Sequence, residues 1–533
     1  MEAVRTAPRT MYWTWVRREQ ESTTMTITWQ PARLIPTSGI NGQEEAERRA
    51  TSALLAVMTS VREFGAALLR PLGAPAGQLE AFIEVPFKLE GRTVIPDGLV
   101  QCARGSRSWT ALIEVKTGAG ELRQDQVECY LDVARDEGFD AVLTISNEMS
   151  PAPGVHPVEV DKRKLKKVAL YHLSWAEVLT VAVQQRVHRG VADPDQAWIL
   201  GELIRYLEHP KSGAMDFVDM GAGWVPVRES IATGKLRLND KDLPEVASRW
   251  EQLIRFGALR LGRELGADVQ PVLSRKELAD PSLRANALAQ SLVERGVLTA
   301  AIRIPDAAGP ITVTADLRAG IIAVSVDVDA PREGKATTRV NWLARQLKDA
   351  PDRLRVDAWA ANARSSTSEL LKAVREDPSV LIEDPKKDLR SFRVTALSPA
   401  GSKRGTGRGG FIDSVLAAVD GFYSEVVQNV RPWAPKAPQL PKGSQLAAET
   451  VGLELSPPIG DLEEEALTTD SDFEASAAED DEASWPGGEA AAEGDGSIDV
   501  VETAGVSAAE LVDWGEAQDK LDHERANEEG DGR

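Results

Sequence analysis

Asp97, Glu114 and Lys116 are the residues of this chain whose types and spacing best suit them to chemistry. They lie in TVIPDGLVQCARGSRSWTALIEVKT, residues 93–117, among β-branched and apolar residues that otherwise read as strands built for burial. The polar cluster ARGSRS reads as a turn, and with Gly105 and Ser106 as a two-residue hairpin loop, cross-strand partners are residues whose numbers sum to 211. Asp97 and Glu114 are such a pair, with Cβ atoms expected about 4.5 to 5.5 Å apart, where like charges destabilise a sheet. A divalent cation held between the carboxylates is one explanation. Lys116 shares their face, whereas Ala111, Ile113 and Val115 point to the other. A half-exposed strand whose lysine neutralises its neighbours at a wet surface produces the same alternation, and a one-residue slip would move one carboxylate to the opposite face.

The flanking elements must position these groups. After Gly118-Ala119-Gly120, the segment ELRQDQVECYLDVARDEG repeats Leu122, Val127, Leu131 and Ala134 at helical spacing and ends at Gly138. Gln126 and Tyr130 lie four apart and share a face of that helix. DAVLTISN then reads as a buried strand. Upstream, NGQEEAERRATSALLAVMTSVREFGAALL predicts one long amphipathic helix with a stripe through Leu54, Met58, Val61 and Leu68. Seven residues before Leu54 the same stripe carries Glu47, which suits either an active site or the first turn of the helix, where negative charge is favourable.

This order is helix with Glu47, strand FIEVPFKL, strand with Pro96-Asp97, strand with Glu114-Val115-Lys116, helix with Gln126 and Tyr130, then strand. It resembles the PD-(D/E)xK nuclease superfamily, with the restriction-endonuclease-like fold, and Gln126 to Tyr130 resembles the Q-x-x-x-Y element of its RecB-type branch. The resemblance covers roughly residues 41 to 180 and rests on order and spacing, because each motif alone is short. It implies that Asp97, Glu114, the Val115 carbonyl and Glu47 hold Mg²⁺ or Mn²⁺, that Lys116 orients or deprotonates the attacking water, and that Gln126 and Tyr130 position the metal-site residues or the phosphate backbone. It implies a nucleic-acid partner, DNA before RNA, and cleavage of phosphodiester bonds in defence or repair. The alternative is a non-catalytic regulatory or scaffold protein that keeps a nuclease-like fold for binding nucleic acid or protein.

The formal net charge of -21 looks wrong for a phosphate binder until it is divided along the chain. Residues 441–533 hold 27 Asp and Glu against 4 Lys and Arg, which leaves +2 for residues 1–440. The expectation for 441–533 is a disordered acidic tail, in which the periodicity around Leu511, Val512 and Trp514 suits either a fluctuating solvated segment or one that folds against a protein partner. Residues 1–40, with Met25 inside them, read as a flexible extension without a signal-peptide core. No run of 18 apolar residues occurs, and two cysteines, Cys102 and Cys129, suit a reducing compartment, so no membrane partner and a cytoplasmic location are expected.

The fold class expected is therefore α/β: a restriction-endonuclease-like mixed sheet flanked by helices over residues 41–185, a helical region over 190–298, an α+β domain over 299–435, and the acidic tail. LTAAIRI, ITVTADL and GIIAVSVDV read as successive antiparallel strands, NWLARQLKD and SSTSELLKAVRE as helices, and RVDAWAA as a strand. Ser274 and Glu277 have capping-box spacing. The basic stretches DKRKLKK and GSKRGTGRGG read as solvated loop and linker. His156, His172, His188, His209 and His523 show no metal-ligand spacing, and no G-x-S-x-G elbow supports acyl transfer.

Overall fold

In the computed structural model the described residues are 34–35, 42–150 and 154–435, so the expectations for the N-terminal extension, for the acidic tail and for His523 lie outside the described residues. Alternation and turn chemistry produce the first sheet, which runs β1(Gln78–Ile83), β4(Gly98–Arg104), β5(Arg107–Val115), β6(Ala141–Ser146), β7(Ala169–Ser174). β1, β4 and β5 are antiparallel, and β6 and β7 then add in parallel, which makes the sheet mixed. The β4–β5 register runs from Arg104↔Arg107 to Gly98↔Ile113, the pairing expected from a Gly105-Ser106 loop.

Both faces of this sheet are covered. Val100, Ile113, Val115, Leu143 and Ile145 pack beneath α1(Gln43–Ser60), α2(Arg62–Leu69), α4(Trp175–Val183) and α5(Pro194–Glu208). On the other face Leu99, Leu112 and Val142 meet Val127, Tyr130 and Leu131 of α3(Gln124–Glu137). A small hairpin, β2(Phe87–Leu89) and β3(Arg92–Val94), joins that second layer.

Two local expectations change here. The single long helix breaks at Val61, whose backbone is extended (φ -108°, ψ 91°), and the two parts meet at 109°. The hydroxyls of Thr59 and Ser60 donate to the Ala56 carbonyl at 2.8 and 2.7 Å, competing with the helical ladder where it ends. Gly65 permits the bend, because a Cβ there would lie 2.4 Å from the Met58 carbonyl oxygen. FIEVPFKL also divides, between β1 and β2, where Glu84 takes a left-handed conformation (φ 51°) and Pro86 offers no N–H to a ladder.

A second sheet of seven strands lies downstream, in the order β13(Thr367–Leu370), β12(Arg355–Ala360), β14(Leu389–Pro399), β11(Ile321–Asp329), β10(Ile311–Asp316), β9(Val297–Arg303), β8(Gln270–Pro271), antiparallel throughout. The three strands expected between 297 and 329 are all present, and SSTSELLKAVRE corrects to strand β13 followed by the short helix α8(Leu371–Glu376). Thr367 and Ser368 pair with Ala358 and Asp357 of β12, a tertiary contact that overrides helical spacing.

The stretch 190–298 is mainly helical, with the capping box at Ser274, but it also supplies β8 and the start of β9, and it divides its apolar residues between two cores. Leu200, Leu203 and Leu207 of α5 pack on the first sheet. Trp224, Trp250 and Phe256, from α6(Trp224–Ala232) and α7(Leu243–Leu265), join Phe411 and Phe422 of α9(Phe411–Glu425) on the second. Among the described residues no single helix is long and apolar enough to cross a membrane; α1 and α2 reach that length only together, across their bend.

Candidate active site

The end of β5 gathers the groups singled out in the sequence. Asp97 lies one residue outside β4, and its Oδ2 accepts the Val115 N–H at 2.8 Å, which ties the carboxylate across the end of the hairpin. Glu114, on β5, is 1% exposed, an unusual place for a carboxylate without full pairing. Lys116 follows the strand. Its N–H donates to the Ile145 carbonyl at 2.8 Å and its carbonyl accepts the Trp175 indole N–H at 2.9 Å, so its backbone is held from two sides. Its Nζ lies 2.5 Å from Glu114 Oε1 and 3.8 Å from Glu47 Oε2.

Glu47 reaches this point from α1. Its Oε1 accepts from Gln43 Nε2 at 3.1 Å and faces the Thr117 N–H at 3.4 Å, so its place on the inward stripe is part of the cluster. Gln126 and Tyr130 project from α3, with Gln126 Nε2 donating to the Tyr130 hydroxyl at 3.1 Å. Ala111, Ile113 and Val115 point into the opposite core, as the alternation requires.

Burial sets the electrostatics. It pushes the Glu114 carboxyl up to about 7, helped by the Asp97 charge and opposed by Lys116. Burial also raises Asp97, outweighing the Val115 hydrogen bond and the Lys116 charge. Burial works against the Lys116 ammonium, yet the carboxylates of Glu114, Glu47 and Asp97 outweigh it and hold its proton above the usual lysine range. Tyr130 is raised by burial and then by the Glu114 charge, which keeps its phenol protonated. Glu114 Oε2 is buried and makes no direct hydrogen bond, although the Tyr130 hydroxyl lies near enough to Glu114 to act on its charge.

That orphaned oxygen decides whether a cation suits the site. Among the described residues no three carboxylate, imidazole or thiol groups form a ready cage. Two carboxylates whose ionised forms are both disfavoured, one with an unpartnered buried oxygen, nevertheless match a hard cation that takes few protein oxygens and keeps several waters. Asp97 and Glu114 fit as its side-chain ligands, and the Val115 carbonyl and Glu47 are the further oxygens that the resemblance implies.

Of the other chemistry-bearing residues, the histidines flank the site, because Thr144 of β6 is in register with Glu114 and His172 of β7 with Thr144. His156 Nε2 and His172 Nδ1 each lie 2.8 Å from the Thr144 hydroxyl, and His172 Nε2 is 2.8 Å from the Glu148 carbonyl. This half-buried network joins β6 and β7 next to Glu114. In DKRKLKK, Arg163 pairs with Asp161 at 2.6 Å and Lys164 pairs with Asp132. In the glycine-rich loop, Lys403 Nζ donates to the Arg408 carbonyl at 2.9 Å and Asp413 accepts the Gly407 N–H. Gln43, Asn147, Trp175 and Gly213 were not singled out from the sequence. Asn147 had one signal, its position at the C-terminal end of a buried parallel strand, where α/β sheets place ligand-binding groups.

No protein-family model matches the chain, and no curated protein matches it significantly.

Proposed function

We propose that this chain is a metal-dependent nuclease that hydrolyses phosphodiester bonds of nucleic acid, DNA before RNA, through a site built on Asp97, Glu114 and Lys116 in a restriction-endonuclease-like fold. The observation that carries the reading is the convergence of Asp97, Glu114, Lys116 and Glu47 at the end of β5, with one carboxylate oxygen buried and unpartnered. An arrangement built for stability alone would pair that oxygen or replace the carboxylate.

Asp97 and Glu114, with the Val115 carbonyl and Glu47, would hold Mg²⁺ or Mn²⁺, which when bound supplies Lewis-acid polarisation of the scissile phosphate. Lys116 orients the attacking water and, with its ammonium steadied between Glu114 and Glu47, neutralises charge developing on the phosphate. Tyr130 stays protonated and so presents a hydroxyl donor beside Glu114, aligned by Gln126. The near-neutral balance of residues 1–440 is compatible with a nucleic-acid partner, and the supporting composition fits a cytoplasmic location.

The test is cleavage of single-stranded and duplex DNA and RNA with Mg²⁺ or Mn²⁺. Lys116→Ala is expected to lower the rate by about 10² to 10³-fold, the scale of losing a group that stabilises charge developing in the transition state. Cleavage by Lys116→Ala at the parental rate would remove this site as the source of activity. Absence of cleavage by the parent on every substrate would favour the scaffold reading.

A further inference from the structure

The residues just past Lys116 are fastened to a turn from far along the chain. Asn147, which directly follows β6, donates from Nδ2 to the Gly118 carbonyl at 3.0 Å and to the Gly213 carbonyl at 2.8 Å. Its Oδ1 accepts the Met215 N–H at 2.7 Å. Gly118 N–H donates to the same Gly213 carbonyl at 2.8 Å. The approach is close enough to need glycine: Gly213 has φ 78°, and a Cβ there would lie 2.7 Å from Thr117 Cβ and 3.0 Å from Thr117 Oγ1.

The turn is itself well braced. The buried Ser212 hydroxyl donates to the Leu207 carbonyl at 3.1 Å and accepts the Ala214 N–H at 3.1 Å, while His209 Nδ1 accepts the Lys211 N–H at 3.1 Å. On one side it continues from Leu207 in the first core, and on the other it enters the second core at Phe217 and Met220.

We propose that Asn147 is a positioning residue for Lys116 and that residues 209–215 are a built part of the site, so that the downstream sheet's core helps hold the candidate catalytic lysine in place. This rests on the nuclease reading above for its catalytic consequence, but the clamp itself is a statement about backbone. Fixing Thr117 and Gly118 fixes the Thr117 N–H opposite Glu47 and leaves Lys116 Nζ between two carboxylates. Without the three Asn147 bonds the ammonium would sample positions off the line of attack, where a displacement of about 1 Å costs about 10²-fold.

The test uses the full chain. In Asn147→Ala, hydrogen exchange should quicken in residues 116–120 and 211–216 and stay at parental rates in β4 and β5. With Mg²⁺ and a cleavable substrate, kcat should fall by about 10 to 100-fold while KM stays within about twofold; a lost folded fraction would also lower kcat at constant KM, and parental exchange in β4 and β5 is the result that excludes it. Asn147→Asp keeps the acceptor for Met215 but sets an oxygen against two carbonyls, so it should rescue neither readout. Gly213→Ala, which pushes the turn away from Thr117, should repeat both effects from the opposite side. Parental exchange at 116–120 in both Asn147→Ala and Gly213→Ala overturns the clamp. Quickened exchange with an unchanged kcat overturns the positioning role. If the parent cleaves no nucleic acid, the nuclease reading fails and exchange alone decides whether the clamp stands.

Discussion

Glu114→Gln should change how stability depends on pH, and the structure gives the size of the effect. A carboxyl taken from 4.5 in the unfolded chain to about 7 in the fold costs about 3 kcal/mol when it must ionise without a cation. The folded value is the higher one, so the stabilising contribution is full below pH 4.5, declines from there, and is lost above about 7. Asp97, also raised, adds to the same trend. His172 opposes it: burial lowers it from 6.5 to about 4, so its penalty is complete below about pH 4 and disappears as the pH rises to 6.5. The parental curve alone therefore conceals both effects. The difference between parent and Glu114→Gln, measured by chemical denaturation in a chelator from pH 4.5 to 8, cancels the histidine and should shift by about 3 kcal/mol in favour of the variant as pH rises. Saturating Mg²⁺ should reduce that shift by stabilising the ionised parental carboxylate. A difference independent of pH would refute the argument that burial without full pairing sets the proton affinity of Glu114.

Two further substitutions probe neighbouring steps. Asp97→Asn removes the second-largest influence raising Glu114 and keeps an oxygen able to accept the Val115 N–H, so the metal-free protein should melt higher while the stabilisation by Mg²⁺ is lost; melting curves with and without Mg²⁺ check both halves, and a lower melting point in each condition would count against opposed carboxylates. Gly65→Ala places a Cβ 2.4 Å from the backbone oxygen of Met58, which cannot move without shifting α1, and should cost about 1 to 3 kcal/mol in denaturant, with an unchanged midpoint showing that the bend is more compliant than its packing implies.

Short-range information in the sequence was enough to specify the hairpin. The Gly105-Ser106 turn sets a register in which Gly98 meets Ile113, and the two-residue period of a strand sends Ile113 and Val115 to one core and Leu112 and Glu114 to the other face. The helix carrying Gln126 and Tyr130 and the strands from 297 to 329 were legible for the same reason: their periods are set by residues a few places apart. Only the tertiary structure decided where Glu47 goes, because its partners Lys116 and Thr117 lie some 70 residues away and a helical stripe says which face is inward but not what it meets. The same holds for the bend at Val61, which depends on Gly65 approaching Met58, and for the turn at Gly213 that Asn147 fastens behind Lys116. The proton affinity of Glu114 belongs to this second group. A carboxylate's type and spacing are written in the chain, but its desolvation is the sum of everything packed around it, and that sum exists only once distant segments have come together.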